Sequence, residues 1–177
     1  SVFDKEPARK AQFVDIPPKI SVVTACYNYG RFLPDLVNSL IGGPTSLGEM
    51  PGQSFQSFEL VIVDYGSTDE TPKIARGLAD NWKGIRYIRT VNRGGAAAIN
   101  HAIKESCGEY IAVIDADDMM EPYRLEMLYR LQLEHPHSFI YDDLSLFAKG
   151  ERRVYGLVRP GRWDTTYPLG FRDENGN

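Results

Sequence analysis

The 177 residues carry a net charge of −4, with 42% hydrophobic and 25% charged side chains, the make-up of a globular chain large enough for one domain with its own core. That balance offers no basic surface for nucleic acid, and no run approaches the roughly 18 consecutive apolar residues of a membrane span. The opening Ser-Val-Phe-Asp-Lys-Glu has no signal-peptide apolar region, and Cys26 and Cys107 read as free thiols, so the expected setting is the cytoplasm, free or peripheral at the inner membrane face.

Residues 1–18 are mixed and polar and read as an N-terminal arm or mobile leader. Residues 19–26 form a first strand, broken by Tyr27-Asn28-Tyr29-Gly30. A helix follows over 31–41, where Phe32, Leu33, Leu36, Val37 and Leu40 recur at helical spacing. Residues 42–57 are rich in Gly, Pro and Ser and long for a connection, which suggests a mobile loop or a lid. A second strand covers 58–64, and a turn capped by Ser67, Thr68 or Asp69 starts a helix that runs to about residue 81. A third strand occupies 85–90, an alanine-rich helix 96–106, and a fourth strand begins at Tyr110. Helix over 123–134, a short strand over 138–141 and a hairpin pairing 144–148 with 153–157 complete the order. Residues 158–177 read as a loop-like tail.

Strand and helix alternate, which predicts an α/β fold: a mostly parallel sheet with helices on both faces and right-handed crossovers. Ligands of such sheets bind outside the carboxyl ends of the strands. Here those ends carry Tyr27, Asp64, Arg93 and an acidic cluster, Asp115, Asp117 and Asp118. Ile111, Val113 and Ile114 precede the cluster as a run suited to burial on both sheet faces. Three neighbouring carboxylates repel one another and call for water, a basic partner or a divalent cation. Hard oxygen ligands with open positions suit Mg²⁺ or Mn²⁺ bridging to phosphates. The competing reading makes Asp117 or Asp118 the cap of a helix opening near Glu121-Pro122. Tyr27 suits stacking on a base or packing as a turn aromatic, and Asp64 suits a base N–H, a ribose hydroxyl or the turn at Gly66. Arg93 with the amides of Gly94 and Gly95 suits phosphate at a helix start, although paired glycines alone also mark turns.

Four ordered segments, Ser21-Val-Val-Thr-Ala-Cys-Tyr-Asn28, Val61-Ile-Val-Asp-Tyr-Gly-Ser-Thr-Asp69, Asn92-Arg-Gly-Gly-Ala-Ala-Ala-Ile-Asn100 and Ile114-Asp-Ala-Asp-Asp118, resemble the motifs of family 2 glycosyltransferases. The resemblance covers residues 19–157, taken as one nucleotide-sugar-binding domain of the GT-A fold. It implies inverting transfer of a sugar from a nucleotide donor, most often a UDP-sugar, to a hydroxyl of a saccharide, lipid or protein acceptor, with Mg²⁺ or Mn²⁺. By position, Ala25, Cys26 and Tyr27 would line the base, and Asp64 with Tyr65 would hold base or ribose. Arg93, Gly94, Gly95 and Ala96 would face the nucleotide. Asp115, Asp117 and Asp118 would form a D-x-D-type cluster, with Asp117 and Asp118 as the metal ligands.

Two departures stand out. The family usually reads Val-Asp-Asp-Gly-Ser where this chain has Val63-Asp64-Tyr65-Gly66-Ser67, so a phenol replaces a carboxylate that commonly touches base or ribose. The acidic pair and basic helix that supply the general base in resembling enzymes have no match after Tyr155. That base is therefore unassigned, Asp164 and Glu174 being weak candidates and Asp142 and Asp143 reading as surface or acceptor-rim residues. The alternatives are a nucleotide-sugar-binding module without turnover and, ranked last, a nucleotidyltransferase, which would place a long glycine-rich basic loop where Tyr27-Asn28-Tyr29-Gly30 stands.

Overall fold

The structure, a computed structural model, describes residues 17–136 and 138–140 and the backbone of residues 146–148 and 151–153. The expected N-terminal arm, apart from Pro17 and Pro18, and the expected tail lie outside these residues. The chain divides into two compact units, Ser1–Ser138 and Phe139–Asn177, a boundary inside the span expected to form one domain. Residues 138–140, three of the four expected to form a short strand, carry no strand, and residue 141 lies outside the described residues. The expected hairpin is present as a shorter antiparallel pair, Leu146–Ala148 with Glu151–Arg153.

In the first unit, strand β1 spans Ile20–Cys26, a single 3-10 turn Gly30–Phe32, and helix α1 Leu33–Ile41. A small hairpin follows, β2 (Gly43–Thr45) and β3 (Gly48–Met50), then β4 (Phe58–Asp64) and α2 (Thr71–Asn81). The unit continues with β5 (Ile85–Arg89), α3 (Gly95–Glu105), β6 (Tyr110–Val113) and α4 (Arg124–Glu134). The main sheet has the order β5-β4-β1-β6 and every pairing in it is parallel. All seven residues of β4 are buried, as expected of a central strand in a doubly covered parallel sheet.

Strand alternation sorts the core into two layers. Ile20, Val22 and Cys26 of β1 and Phe58, Leu60 and Ile62 of β4 pack with Leu33, Leu36, Val37 and Leu40 of α1 and with Leu125 of α4. On the other face, Val23, Val61 and Val63 meet Ala98 and Ala102, whose small side chains let α3 lie close to β1 and β4. The sequence expectation fails at β6. This strand is an edge among the described strands, and α3 covers β1 and β4, so Ile111 and Val113 stay 39% and 48% exposed while Ile114 is buried.

The amino end of the sheet is closed by a buried polar network around Glu59. Its Oε1 accepts from Ser21 Oγ and from the Cys107 amide, both at 2.7 Å, and the Gly108 amide donates to Ser21 Oγ at 2.8 Å. These bonds fix the turn that leads from α3 into β6.

Candidate functional site

The carboxyl ends of the four parallel strands lie along one edge of the sheet, which places Tyr27, Tyr65, the 90–94 turn and the 115–118 segment on the same side of the fold. Two loops form the middle of that edge, and Asn28 ties them together. It is the one described non-glycine residue at positive φ, 57°, a conformation asparagine tolerates better than most. Its Oδ1 accepts from the amides of Thr68 at 2.8 Å and Asp69 at 3.3 Å, and its own amide donates to Ser67 Oγ at 2.9 Å. Beside it, the Gly30 amide donates to Thr71 Oγ1 at 2.8 Å. A Cβ on Gly30 would lie 2.5 Å from Thr71 Cα, so only glycine permits this approach.

The same clasp aligns Tyr27 with Tyr65. Their rings stack with centroids 5.3 Å apart and planes inclined by 24°, and Tyr27 remains partly exposed. The phenol that replaces the family's second carboxylate is thus half of an aromatic pair. Its hydroxyl sits over the start of α3, 3.6 Å from where a Cβ of Gly95 would be. Tyr65, Arg93 and Gly94 line a groove of about 570 Å³ that continues along α3 past His101 and Lys104. Beyond charge and helical spacing, no sequence pattern marks those last two residues. The α3 start is turned by Gly94 at φ 87°, with its amide donating to Asn92 Oδ1 at 3.0 Å. The first helical bond runs from the Ala98 amide to Gly94 O, which leaves the preceding amides for an anion or water.

Two residues expected at the base have wholly buried side chains. Cys26 points into the α1 side of the core, wholly buried, and burial pushes its thiol up to about 11, so its side chain does not line the base. Asp64 is also wholly buried and spends its oxygens on the protein. Oδ1 accepts from the Ser67 amide at 2.8 Å, and Oδ2 accepts from Tyr87 Oη at 2.9 Å with Arg89 Nε at 3.9 Å. Arg89 in turn donates to Ser67 O at 2.8 Å. Asp64 acts as the anchor of the turn, the simpler of the two roles its position suggested. Ala25 packs with Tyr65 on the α3 side.

The acidic cluster follows β6. Asp115 and Asp117 are exposed and Asp118 is half-buried; burial first, then the charges of Asp115 and Asp117, hold the Asp118 carboxyl above the usual carboxylate range. Among the described residues none of the three forms an ion pair or a side-chain hydrogen bond. The helix-cap reading is not what the fold adopts. Helix α4 starts at Arg124, and its Leu125 amide donates to Gln53 Oε1 at 3.1 Å. No group of three His, Cys, Asp or Glu side chains is gathered for a metal among the described residues. The chemistry of a Mg²⁺ or Mn²⁺ site asks less, since one or two carboxylates plus donor phosphates suffice, and the Asp117–Asp118 pair fits that requirement. Asp142, Asp143, Asp164 and Glu174 lie outside the described residues.

A family model, "Glycosyl transferase family 2", matches residues 21–173. The chain belongs to that family. It is 34% identical over 140 residues to glycosyltransferase GlyG of Streptococcus pneumoniae, covering 78% of this chain and 43% of GlyG. Among solved structures it resembles residues 1–349 of Staphylococcus aureus TarS, with a TM-score of 0.54 and 28% identity over 66% of this chain and 33% of that one. TarS has also been crystallised in complex with UDP. The mannosyltransferase PcManGT of Pyrobaculum calidifontis, in complex with GDP-Man and Mn²⁺, matches with a TM-score of 0.52 and 25% identity over 75% of this chain and 37% of that one. The fold is therefore of the GT-A type, as the four motifs implied. This family 2 chain spans about half the length, or less, of the curated relatives it matches.

Proposed function

We propose that this chain binds a nucleoside diphosphate sugar, UDP-linked first and GDP-linked second, and transfers the sugar to an acceptor hydroxyl with inversion in a metal-dependent reaction. The observation that carries this reading is the set of carboxylates Asp115, Asp117 and Asp118 at the ligand-binding edge of a parallel sheet, none of them in a side-chain ion pair among the described residues and with only the more distant charge of Arg124 among those residues acting on Asp118. Support for the donor comes from the UDP complex of TarS and from the GDP-Man and Mn²⁺ complex of PcManGT. In this reading the exposed face of Tyr27, backed by Tyr65, stacks on the base. Arg93 and the amides at the start of α3 meet the diphosphate, with Gly94 and Gly95 allowing close approach. Asp117 and Asp118 hold Mn²⁺ or Mg²⁺ jointly with the donor's phosphate oxygens. When bound, the ion offsets the charge that develops on the departing diphosphate. The acceptor is a saccharide, lipid or protein hydroxyl, and a cytoplasmic location remains part of the proposal. No helix among the described residues is long and apolar enough to cross a membrane.

The test is a thermal-shift and calorimetric series with UDP and GDP, each with and without Mn²⁺, on the wild-type chain and on Asp117→Asn and Asp118→Asn. At a ligand concentration of about 100 times Kd, linkage adds about 2.7 kcal/mol, which raises Tm by several degrees. That gain should appear only with Mn²⁺ and nucleotide together and vanish in both variants. Nucleotide affinity that is identical with and without Mn²⁺ in all three proteins overturns the assignment. Incubation with UDP-sugars and Mn²⁺ then separates a transferase, which releases sugar, from a binding module, which does not.

A further inference from the structure

The segment 42–57, expected to be mobile or a lid, is built into the fold. Its Gln53 is a buried amide whose polar atoms are all used. Nε2 donates to Glu121 O at 2.8 Å and to Ser39 O at 3.2 Å, with Met120 O at 3.5 Å, while Oε1 accepts from the Leu125 amide at 3.1 Å. The backbone on either side is fixed as well. The Gln53 amide donates to Leu40 O at 2.9 Å, and the Ser54 amide donates to Pro122 O at 2.8 Å. Ser39 adds a further bond, its Oγ accepting from the Met120 amide at 3.0 Å, and the Met120 side chain is wholly buried. The chain leaving the aspartate cluster is therefore gripped from residue 120 onward by three side chains or amides of α1 and the 42–57 segment.

The other end of the cluster is held by the sheet, since the Ile114 amide donates to Val23 O at 3.1 Å. Between these two fixed points only a short stretch is free to set the spacing of the carboxylates. Within it the Asp118 amide donates to Asp115 O at 3.2 Å, closing a turn. We infer that Gln53, through Met120 and Glu121, is a positioning residue for the Asp117 and Asp118 carboxylates, so that the 42–57 segment serves the site as a fixed brace. This inference rests on the metal reading proposed above for that pair. Gln53 itself faces the core and touches neither cation nor donor.

The test uses the whole chain with Gln53→Leu, which keeps the side-chain bulk and the backbone bond to Leu40 O and removes the side-chain hydrogen bonds. Glu59→Gln is the control, perturbing the buried network at the opposite end of the sheet. Two readouts are taken at a temperature where each variant is folded by circular dichroism. In the metal-free protein, amide exchange at Asp118, a group Gln53 does not contact, should accelerate at least tenfold in Gln53→Leu and stay within twofold of wild type in Glu59→Gln. The ratio of UDP or GDP Kd without Mn²⁺ to that with Mn²⁺ should fall at least fivefold in Gln53→Leu and hold in the control. Wild-type values for either readout in Gln53→Leu overturn the inference, as does an equal change in Glu59→Gln. If Gln53→Leu does not fold, Ser39→Ala, which removes the acceptor for the Met120 amide together with the Ser39 Oγ bond to Leu36 O inside α1, is judged by the same two criteria. Should wild type show no Mn²⁺ effect on nucleotide affinity, the metal reading fails, and the Asp118 exchange rate still decides whether Gln53 fixes the segment.

Discussion

Replacing Asn28 separates the two things it does. Asparagine at φ 57° avoids part of the penalty that an alanine would meet there, about 1–2 kcal/mol for a side chain in the left-handed region. Its Oδ1 also satisfies the Thr68 and Asp69 amides. Both acceptor bonds are near the surface, so water replaces them in part, and their loss costs about 1 kcal/mol. Asn28→Ala should therefore destabilise by about 2–3 kcal/mol. Asn28→Gly loses the hydrogen bonds without the steric penalty and should cost about 1 kcal/mol. For a chain of this size the alanine variant should melt roughly 4 to 12 °C lower, as each kcal/mol shifts Tm by about 2–4 °C. Urea unfolding followed by circular dichroism measures both variants, and the gap between them isolates the backbone strain. Equal midpoints for Ala and Gly would refute the strain component, and a neutral Asn28→Gly would refute the clasp. Because the clasp aligns Tyr27 on Tyr65, both variants should also weaken nucleotide binding, the alanine variant more.

The two thiols should differ sharply in reactivity. Cys107 is exposed, whereas Cys26 is buried with its pKa pushed up to about 11, so a thiol reagent at pH 8 should modify one cysteine in the native chain and the second only on unfolding; rapid reaction of both in the folded protein would contradict the placement of Cys26. The Tyr87 hydroxyl donates to Asp64, and burial followed by that bond raises its pKa to about 12. A folded value above the unfolded one, about 10, means the stabilisation is complete below pH 10 and is lost as the pH rises through 12. The stability advantage of wild type over Tyr87→Phe should therefore shrink across that window, and a difference that stays constant from pH 8 to 12 would count against the bond.

Much of the fold could be read from periodicity, because the core is built from it. The helical repeat of Leu33, Leu36, Val37 and Leu40 and the unbroken apolar run of β4 gave boundaries within a residue or two of those observed. What failed had identifiable physical causes. The run at Ile111 and Val113 matches a doubly buried strand in composition, but composition carries no information on which strand lies at the edge of a sheet. The 42–57 segment looks like a loop because the groups that anchor it, the Gln53 amide and the Ser54 backbone, bond to partners near residues 39 and 121, and no local pattern reveals such bonds. The resemblance points to Cys26 at the base, and Asp64 falls at the ligand edge because it ends a strand. Strand parity held the correction, since Cys26 lies two and four residues from Thr24 and Val22, and Asp64 two and four from Ile62 and Leu60, all on the α1 side. Ala25 and Tyr65 have the opposite parity and face α3.

The way the fold treats its carboxylates separates the scaffold from the site. Glu59 and Asp64 are buried and fully partnered, which is the condition under which a buried charge can persist. Removing a partner from either would leave charge without compensation, so these groups hold the sheet ends and turn loops in place. Asp115, Asp117 and Asp118 are treated in the opposite way. They sit close enough for burial and the charges of Asp115 and Asp117 to raise the pKa of Asp118 against the smaller opposing pull of Arg124, and among the described residues none of the three is in a side-chain ion pair. Holding three such groups together costs stability, which a bound cation would offset. A scaffold that pairs Glu59 and Asp64 so completely and leaves this cluster without a described ion pair is what the proposed cation and diphosphate site requires, with the inferred Gln53 brace holding the carboxylates ready.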